Sequence, residues 1–159
     1  MSSQQLNEHD KEQDELISLS AKLLEHSQMR PNDVAIRHKK FGIWQEFSWG
    51  QYFEIVKSVA FGFYELGVRE GDKVAIHSEN RPEWLIADLS IMLSKGITVP
   101  AYTTYTERDY EFLINDCKPS VVVISDNVQL KKIRECVKKN NYIKKVISFE
   151  DLNEENITF

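Results

Sequence analysis

The chain has 159 residues, of which 42% are hydrophobic and 28% are charged, a composition typical of one soluble globular domain. Its formal net charge of −5 argues against a nucleic-acid-binding domain, which usually carries a basic excess. No apolar run reaches the roughly 20 residues of a membrane-spanning helix, and the first residues resemble no secretory signal.

The first part of the sequence predicts a tail followed by a helix. Residues 1–12 are polar and without periodicity, which indicates a disordered tail. Residues 13–30 form the predicted N-terminal helical segment, whose apolar positions recur at helical spacing over 14–26: Leu16, Ile17, Leu23 and Leu24. Pro31 ends the segment, because the residue before a proline is biased away from helix.

A hairpin and a second helix are predicted next. Residues 34–38 and 43–47 have the pattern of two short strands, and Gly42 in the turn between them is free to adopt a positive φ. Ser48 with Gln51 is a capping-box signature. The helix that follows ends at Gly67 and has apolar residues at helical spacing: Tyr52, Val56, Val59, Phe63 and Leu66.

From Gly71 onward, strands alternate with helices. The predicted strands are 73–78, 97–101, 120–124 and 144–149, and the predicted helices are 82–95, 106–117 and 126–140. Gly96 follows the first of these helices, and the 120–124 strand is apolar enough to be buried on both faces. Three successive β-α-β units predict an α/β fold with a parallel sheet and helices packed against it.

Ligands of open parallel sheets bind beyond the carboxyl ends of the strands. The segments to consider are therefore 79–81, 102–105 and 125–127. In the first, Arg81 is available to an anion at the start of a helix. The alternative is that Asn80 and Pro82 shape a turn while Trp84 packs in the core. We favour the structural interpretation, since phosphate-cradling loops need glycine and this turn has none.

Three other groups have a functional and a structural interpretation, and the structural one is favoured for each. Hydroxyls at 102–106 can orient a substrate, but the neighbouring Glu107 and Asp109 suit a helical first turn. The aromatic residues Tyr52, Phe53, Phe63 and Tyr64 are predicted to be core. A basic cluster could bind an anionic partner such as a CoA phosphate or a lipid surface. It also suits a solvated helix face whose apolar residues Val128, Ile133 and Val137 point inward. The cluster consists of Lys131, Lys132, Arg134, Lys138, Lys139, Lys144 and Lys145.

The remaining chemistry-bearing residues predict no metal or redox site. Cys117 and Cys136 have neither a CxxC partner nor a cluster of histidines, whereas a zinc site needs about four ligands at short spacing. We therefore predict two reduced, buried thiols in a cytosolic protein.

Two stretches carry a resemblance to a known family. They are Phe-Gly-Ile-Trp-Gln-Glu-Phe-Ser-Trp at 41–49 and Gly-Asp-Lys-Val-Ala-Ile-His-Ser-Glu-Asn-Arg-Pro-Glu-Trp at 71–84, followed by Gly-Ile-Thr-Val-Pro-Ala-Tyr at 96–102. Together they resemble the N-terminal part of an AMP-forming long-chain fatty-acid–CoA ligase, an acyl-CoA synthetase of the adenylate-forming superfamily. The match runs over about 31–151 and rests on the order of the segments.

The resemblance implies a two-step reaction. A fatty acid and Mg-ATP give an acyl-adenylate and pyrophosphate, and CoA then displaces AMP to form the thioester. Relatives supply the chemistry from a Ser/Thr/Gly-rich loop, a Tyr-Gly-x-Thr-Glu-like segment and a lysine on a mobile C-terminal domain. These segments are absent from the 159 residues, so no catalytic, cofactor-binding or metal-binding residue is assigned to this chain.

The resemblance therefore predicts an incomplete AMP-binding-family domain over 31–151 and a truncated end over 152–159. ATP, Mg and CoA are expected for the full-length family, with none bound by this chain alone. We expect an inactive, self-associating, cytoplasmic chain, and leave open a peripheral membrane association. The alternatives are a non-catalytic remnant or interaction module, and one part of a split ligase. An unrelated nucleotide-binding domain is disfavoured because no GxGxxG or P-loop motif is present.

Overall fold

The computed structural model describes residues 18–152. The predicted tail over 1–12 lies outside this range, as do Leu16, Ile17 and residues 153–159. The first described helix, α1, spans Leu19–Met29 and lies within the predicted helical segment 13–30. Ser18 is its N-cap, and its Oγ accepts a hydrogen bond from the Ala21 backbone N–H at 3.2 Å.

An antiparallel hairpin follows α1 and is longer than predicted. Strand β1 spans Val34–Lys40 and pairs with β2, Ile43–Ser48. Phe41 and Gly42 form the turn with φ of 50° and 81°, the two positive angles that a two-residue type I′ hairpin loop requires. The positive φ predicted for Gly42 is confirmed.

Helix α2, Trp49–Glu65, begins with the predicted capping box. The Gln51 N–H donates to Ser48 Oγ at 3.3 Å, and the Ser48 N–H donates to Gln51 Oε1 at 2.9 Å. Gly67 has a φ of 89° just past the helix, which confirms its predicted role. Of the aromatic residues predicted to be core, Tyr52 and Phe63 are buried, whereas Tyr64 is 52% exposed under the Arg69 guanidinium.

The predicted parallel α/β sheet is confirmed. Its strands are β3 (Lys73–His77), β4 (Ile97–Ala101), β5 (Val121–Ile124) and β6 (Lys145–Ser148), in the order β4-β3-β5-β6 and all parallel. The connecting helices are α3 (Pro82–Leu93), α4 (Glu107–Cys117) and α5 (Asn127–Lys139). All four residues of β5 are buried, as predicted for a strand covered on both faces.

Helices cover both faces of the sheet. The α4/α5 face contains the largest core cluster, in which Ile114 and Ile133 pack against Val122. On the α2/α3 face, Phe63 and Ile91 join a cluster with alternate residues of β3 and β5. Helix α1 adds a third cluster outside α2, centred on Leu23. The sequence periodicity thus produces a three-layer arrangement in which opposite sides of one strand serve two cores.

Gly96 is not the left-handed residue that ends helix α3, as its position just past the predicted helix would suggest. Helix α3 ends at Leu93, and the left-handed residue after it is Lys95, with a φ of 62°. A Cβ on Gly96 would lie 3.0 Å from Ile91 Cγ2 and 3.2 Å from the Asp72 carbonyl oxygen. Gly96 is therefore needed for close packing between α3 and the start of β4.

Candidate functional site

The strand order brings the three predicted ligand-facing segments to one edge of the sheet. Strand β3 lies between β4 and β5, so the turns that follow these strands are neighbours at their carboxyl ends. The Ser125 N–H, for example, donates to the His77 carbonyl oxygen at 3.2 Å. What these turns can bind depends on which of their polar groups are already engaged.

Arg81 is held by carboxylates on three sides. Its Nε and Nη2 donate to the two oxygens of Glu83 at 2.9 and 3.2 Å. Its Nη1 donates to Glu79 at 3.1 Å and to Glu150 at 3.0 Å. The guanidinium also lies 5.7 Å from the centre of the Phe149 ring. Arg81 thus joins the β3–α3 turn to the residues that follow β6.

This arrangement disfavours an anion at Arg81. The hydrogen bonds that Arg81 donates to Glu83 are the main cause that raises the pKa of Arg81, and the same bonds lower the pKa of Glu83. Three carboxylates surround one guanidinium, so an approaching phosphate would meet an excess of negative charge. The contacts therefore support the structural interpretation of this segment.

The other residues of the turn also have structural positions. Pro82 is the first residue of α3, where its missing N–H leaves no hydrogen bond unmade. Trp84 is half-buried against the α2/α3-face cluster, while Asn80 is exposed. These positions are consistent with the prediction that Pro82 shapes the turn and that Trp84 packs in the core.

A buried polar group that the sequence did not indicate lies beneath the three turns. His77, the last residue of β3, is fully buried, and its ring centre is 4.3 Å from that of Tyr110 on α4. Tyr110 Oη lies 2.9 Å from both the Tyr102 carbonyl oxygen and Gln129 Oε1, so its one proton is shared between two acceptors. Helices α4 and α5 are thereby joined to the β4–α4 turn.

Burial shifts the pKa values of this group. It lowers the pKa of His77 to about 4 and raises the pKa of Tyr110 to about 12, so both are neutral at neutral pH. Neither ring nitrogen of His77 has a hydrogen-bond partner among the described residues. A histidine at the end of an otherwise apolar strand is the one sequence signal that could have identified this position.

The hydroxyl segment after β4 is engaged in local structure. Thr106 and Asp109 form a capping box at the start of α4, and hydrogen bonds from Thr106 are the main cause that lowers the pKa of Asp109. The Thr103 carbonyl oxygen accepts a hydrogen bond from Lys132 Nζ. Tyr105 packs edge-on against the ring of Tyr110 at 5.8 Å. These contacts favour the structural interpretation.

The turn after β5 caps helix α5. Asp126 Oδ1 accepts from the N–H groups of Val128 and Gln129 at 2.8 and 3.0 Å. The Gln129 side chain is buried against Tyr110, so it serves the helix core rather than the cap. Val128, predicted to face inward, is 59% exposed, and that expectation is wrong.

The basic cluster forms ordinary surface pairs. Lys138 contacts Glu135 at 3.2 Å and Lys139 contacts Glu111 at 3.7 Å. Such exposed pairs contribute little to stability. Lys144 and Lys145 lie after α5, at the start of β6, so the cluster is divided between two elements.

An apolar recess lies on the α2/α3 face near β6. This β6 cavity of about 340 Å³ is lined mainly by apolar side chains, including Val59, Phe63, Val123, Ile147 and Phe149. Strand β6 pairs with β5 alone within residues 18–152, so its outer edge is unpaired there. The sheet is therefore less completely covered at β6 than at its centre.

The described residues contain no cluster of His, Cys, Asp or Glu suited to a metal ion. Both cysteines are free and buried, as predicted. Among residues 18–152, no helix is both long and apolar enough to cross a membrane.

Comparison with known proteins identifies the family. The family model described as "AMP-binding enzyme" matches residues 23–158. The chain belongs to this AMP-binding enzyme family. Long-chain-fatty-acid–CoA ligase ACSBG1 of Rattus norvegicus is 31% identical over 120 residues, which cover 76% of this chain and 17% of that protein. The chain thus spans less than a fifth of this relative.

Solved structures show the same fold. A proposed long-chain-fatty-acid CoA ligase from Rhodopseudomonas palustris superposes with a TM-score of 0.76 at 22% identity, over 84% of this chain and 33% of that one. The anthranilate CoA ligase AuaEII, in complex with anthranoyl-AMP, gives a TM-score of 0.74 at 21% identity over 84% and 25%. The resemblance to the N-terminal part of long-chain fatty-acid–CoA ligases is confirmed, and the chain corresponds to one part of such enzymes.

Proposed function

We propose that this chain is a scaffold portion of a long-chain fatty-acid–CoA ligase and has no ligase activity by itself. The complete reaction would convert ATP, fatty acid and CoA into acyl-CoA, AMP and pyrophosphate. Support comes from the family match and from relatives named as long-chain-fatty-acid–CoA ligases. The observation that carries the proposal is the engagement of Arg81 by Glu79, Glu83 and Glu150.

Acyl activation requires groups that stabilise charge on the transferring phosphoryl group. The described residues do not fit Mg-ATP, because Arg81 is already bound by three carboxylates, which leave an excess of negative charge, and the adjoining turns lack a glycine-rich loop. The buried His77 and Tyr110 support the core beneath the turns. The phosphate-binding and metal-binding groups would therefore be supplied by residues outside this chain.

The direct test is fatty-acid-dependent exchange between ATP and labelled pyrophosphate. The purified chain should give the same signal with and without palmitate, while a complete relative in the same buffer serves as the positive control. Exchange that depends on both the chain and palmitate would refute the proposal. An Arg81→Ala variant then shows whether that activity uses the Arg81 guanidinium.

A second candidate is a split ligase, in which the remainder of the enzyme is a separate chain. The β6 cavity and the unpaired edge of β6 favour it, because they offer an apolar surface at which the sheet can be extended. Self-association through this surface and a cytoplasmic location belong to the same proposal. An interaction module would bind a different partner through this surface, whereas a non-catalytic remnant would leave it uncovered.

Co-expression with the remainder of a related ligase separates these cases. Restored ligase activity indicates a split enzyme, a stable complex without activity indicates an interaction module, and neither indicates a remnant. Ile55→Asp, in the wall of the β6 cavity, should abolish any complex formed there. Phe61→Asp is the matched control, since Phe61 lies on the same helix but is 65% exposed away from that cavity.

A further inference from the structure

The turn of the β1–β2 hairpin carries apolar side chains that no described residue covers. Phe41 is 94% exposed, Ile43 is 69% exposed and Trp44 is 61% exposed. Lys39 and Lys40 immediately precede them, and residues 39–44 together form the hairpin tip. Isolated exposed apolar residues are normal at protein surfaces, but here three lie within four residues at one turn.

The backbone at the hairpin tip makes Phe41 more unusual. Its φ of 50° is in the left-handed region, and Gly42 follows with a φ of 81°. Asparagine, aspartate or glycine ordinarily occupies the first position of such a turn, because a bulky side chain there is strained. Within residues 18–152 the Phe41 side chain is almost fully exposed, with the Lys40 ammonium 6.0 Å from its ring centre, so little packing offsets this strain. Strain and exposure together indicate a role outside the folded chain.

Charge is arranged around the apolar side chains. In the strand register, Lys39 lies opposite Trp44 and Lys40 opposite Ile43. The Lys39 Nζ is 5.9 Å from the Trp44 ring centre, and the Lys40 Nζ is 6.0 Å from the Phe41 ring centre. The only carboxylate of the hairpin, Glu46, is paired with Arg37 farther from the turn. The tip is therefore basic, although the whole chain has a net charge of −5.

We propose that the hairpin tip docks on the surface of an anionic lipid bilayer. Aromatic rings are stable at the boundary between headgroups and acyl chains, and lysines beside them reach the lipid phosphates. Each lysine near an anionic membrane surface adds attraction, while one short apolar point gives reversible rather than permanent attachment. This inference does not require ligase activity, so it can fail or succeed independently of the proposed function.

A bilayer fits the hairpin tip better than a protein partner does. An aromatic side chain buries roughly 150–250 Å². Two rings and one isoleucine therefore offer less than the roughly 800 Å² that each partner contributes to a stable protein interface. A membrane needs no matching area, because lipids rearrange around inserted side chains. The lysines also complement phosphate headgroups without a defined pocket.

Sedimentation with phosphatidylcholine vesicles, with and without phosphatidylserine, tests the proposal. The full chain should bind vesicles that contain phosphatidylserine at low salt and be released by high salt. Phe41→Asn should weaken binding about tenfold, since it removes the main apolar anchor. This variant should fold at least as well as the wild type, because asparagine is favoured at that turn position. Lys39→Gln and Lys40→Gln should each weaken binding about fivefold.

Phe112→Asn is the matched control, since Phe112 is 75% exposed on α4 and is not flanked by lysines. It should bind as the wild type does. The proposal is overturned if the wild-type chain stays in the supernatant, if Phe41→Asn binds unchanged, or if Phe112→Asn loses as much binding. Attachment of the tip to a protein in competition with vesicles would also overturn it.

Discussion

The two faces of the sheet differ in how completely they are covered. On the α4/α5 face, a continuous core ends where the His77 ring packs against Tyr110, which is hydrogen-bonded to Gln129. On the α2/α3 face, an equally apolar core adjoins the β6 cavity of about 340 Å³. The difference shows that one layer is completed by residues 18–152, whereas the other retains apolar surface that these residues leave open.

The largest expected effect is the difference in stability loss between truncations of an isoleucine side chain on the two faces. Ile114→Ala on the fully covered face should lower the free energy of unfolding by about 4 kcal/mol, as expected for a closely packed isoleucine. Ile147→Ala, in the wall of the β6 cavity, should cost about 1 kcal/mol, because its neighbours already leave space. Urea denaturation measures both values. Equal losses would contradict the difference between the faces.

The stability of the folded chain should also depend on pH, through His77 on the covered face. Its folded pKa of about 4 lies below the ordinary 6.5, so the unfolded chain binds a proton that the folded chain excludes between these values. Stability should be full above pH of about 6.5 and fall by roughly 3 kcal/mol as the pH approaches 4. Thermal denaturation across this pH range tests the expectation.

His77→Leu should remove that pH dependence between pH 6.5 and 4 without loss of stability at neutral pH, because the ring nitrogens have no described partners. Ile114→Ala provides the control: it should lower stability while preserving the wild-type slope. If His77→Leu retains the slope, another group is responsible.

A smaller effect is expected from the hydrogen bonds that join the helices of this face. Tyr110→Phe should cost about 1–2 kcal/mol, since it leaves Gln129 Oε1 without the Tyr110 hydroxyl and removes one of the two hydrogen bonds that the Tyr102 carbonyl oxygen accepts. The double variant Tyr110→Phe/Gln129→Leu should lose less than the sum of the two single variants, as a double-mutant cycle by urea denaturation would show. Additive losses would mean that the two groups are not energetically coupled.

The smallest effect concerns the open face. Gly62 lies in the last turn of α2 beside the β6 cavity, with no atom within 4 Å of where a Cβ would be. Gly62→Ala should therefore stabilise the chain by about 0.5–1 kcal/mol through helix propensity. Gly96→Ala is the opposite case and should destabilise it, since its Cβ would meet Ile91 at 3.0 Å. Matched urea curves measure both changes, and a loss for Gly62→Ala would show that this region is closely packed.

Much of the fold could be predicted because its signals are local. The capping boxes at Ser48 and Thr106 involve residues three positions apart, and the parallel sheet follows from the alternation of strands and helices. The strand order is different, because nothing local specifies on which side of β3 the next strand pairs. The prediction of which residues of α5 face inward was partly wrong, because the polar residue Gln129 is buried by a hydrogen bond to a distant tyrosine.

The candidate site shows the same limit. The sequence located the three segments at the carboxyl edge, since strand ends are readable from the pattern. It could not show whether Arg81 was free, because its partner Glu150 is 69 positions away. His77 was missed because burial and ring contacts arise only when α4 folds onto the sheet. The exposure of Phe41 likewise depends on how the hairpin packs against the rest of the fold.

The order β4-β3-β5-β6 has a consequence for synthesis on the ribosome. Strand β3 emerges first, β4 then adds on one side, β5 on the other, and β6 outside β5. Each new strand therefore meets an existing edge, and none has to insert between two strands that are already paired. A nascent chain of any length can keep a continuous sheet, so growth requires no earlier hydrogen bonds to be broken.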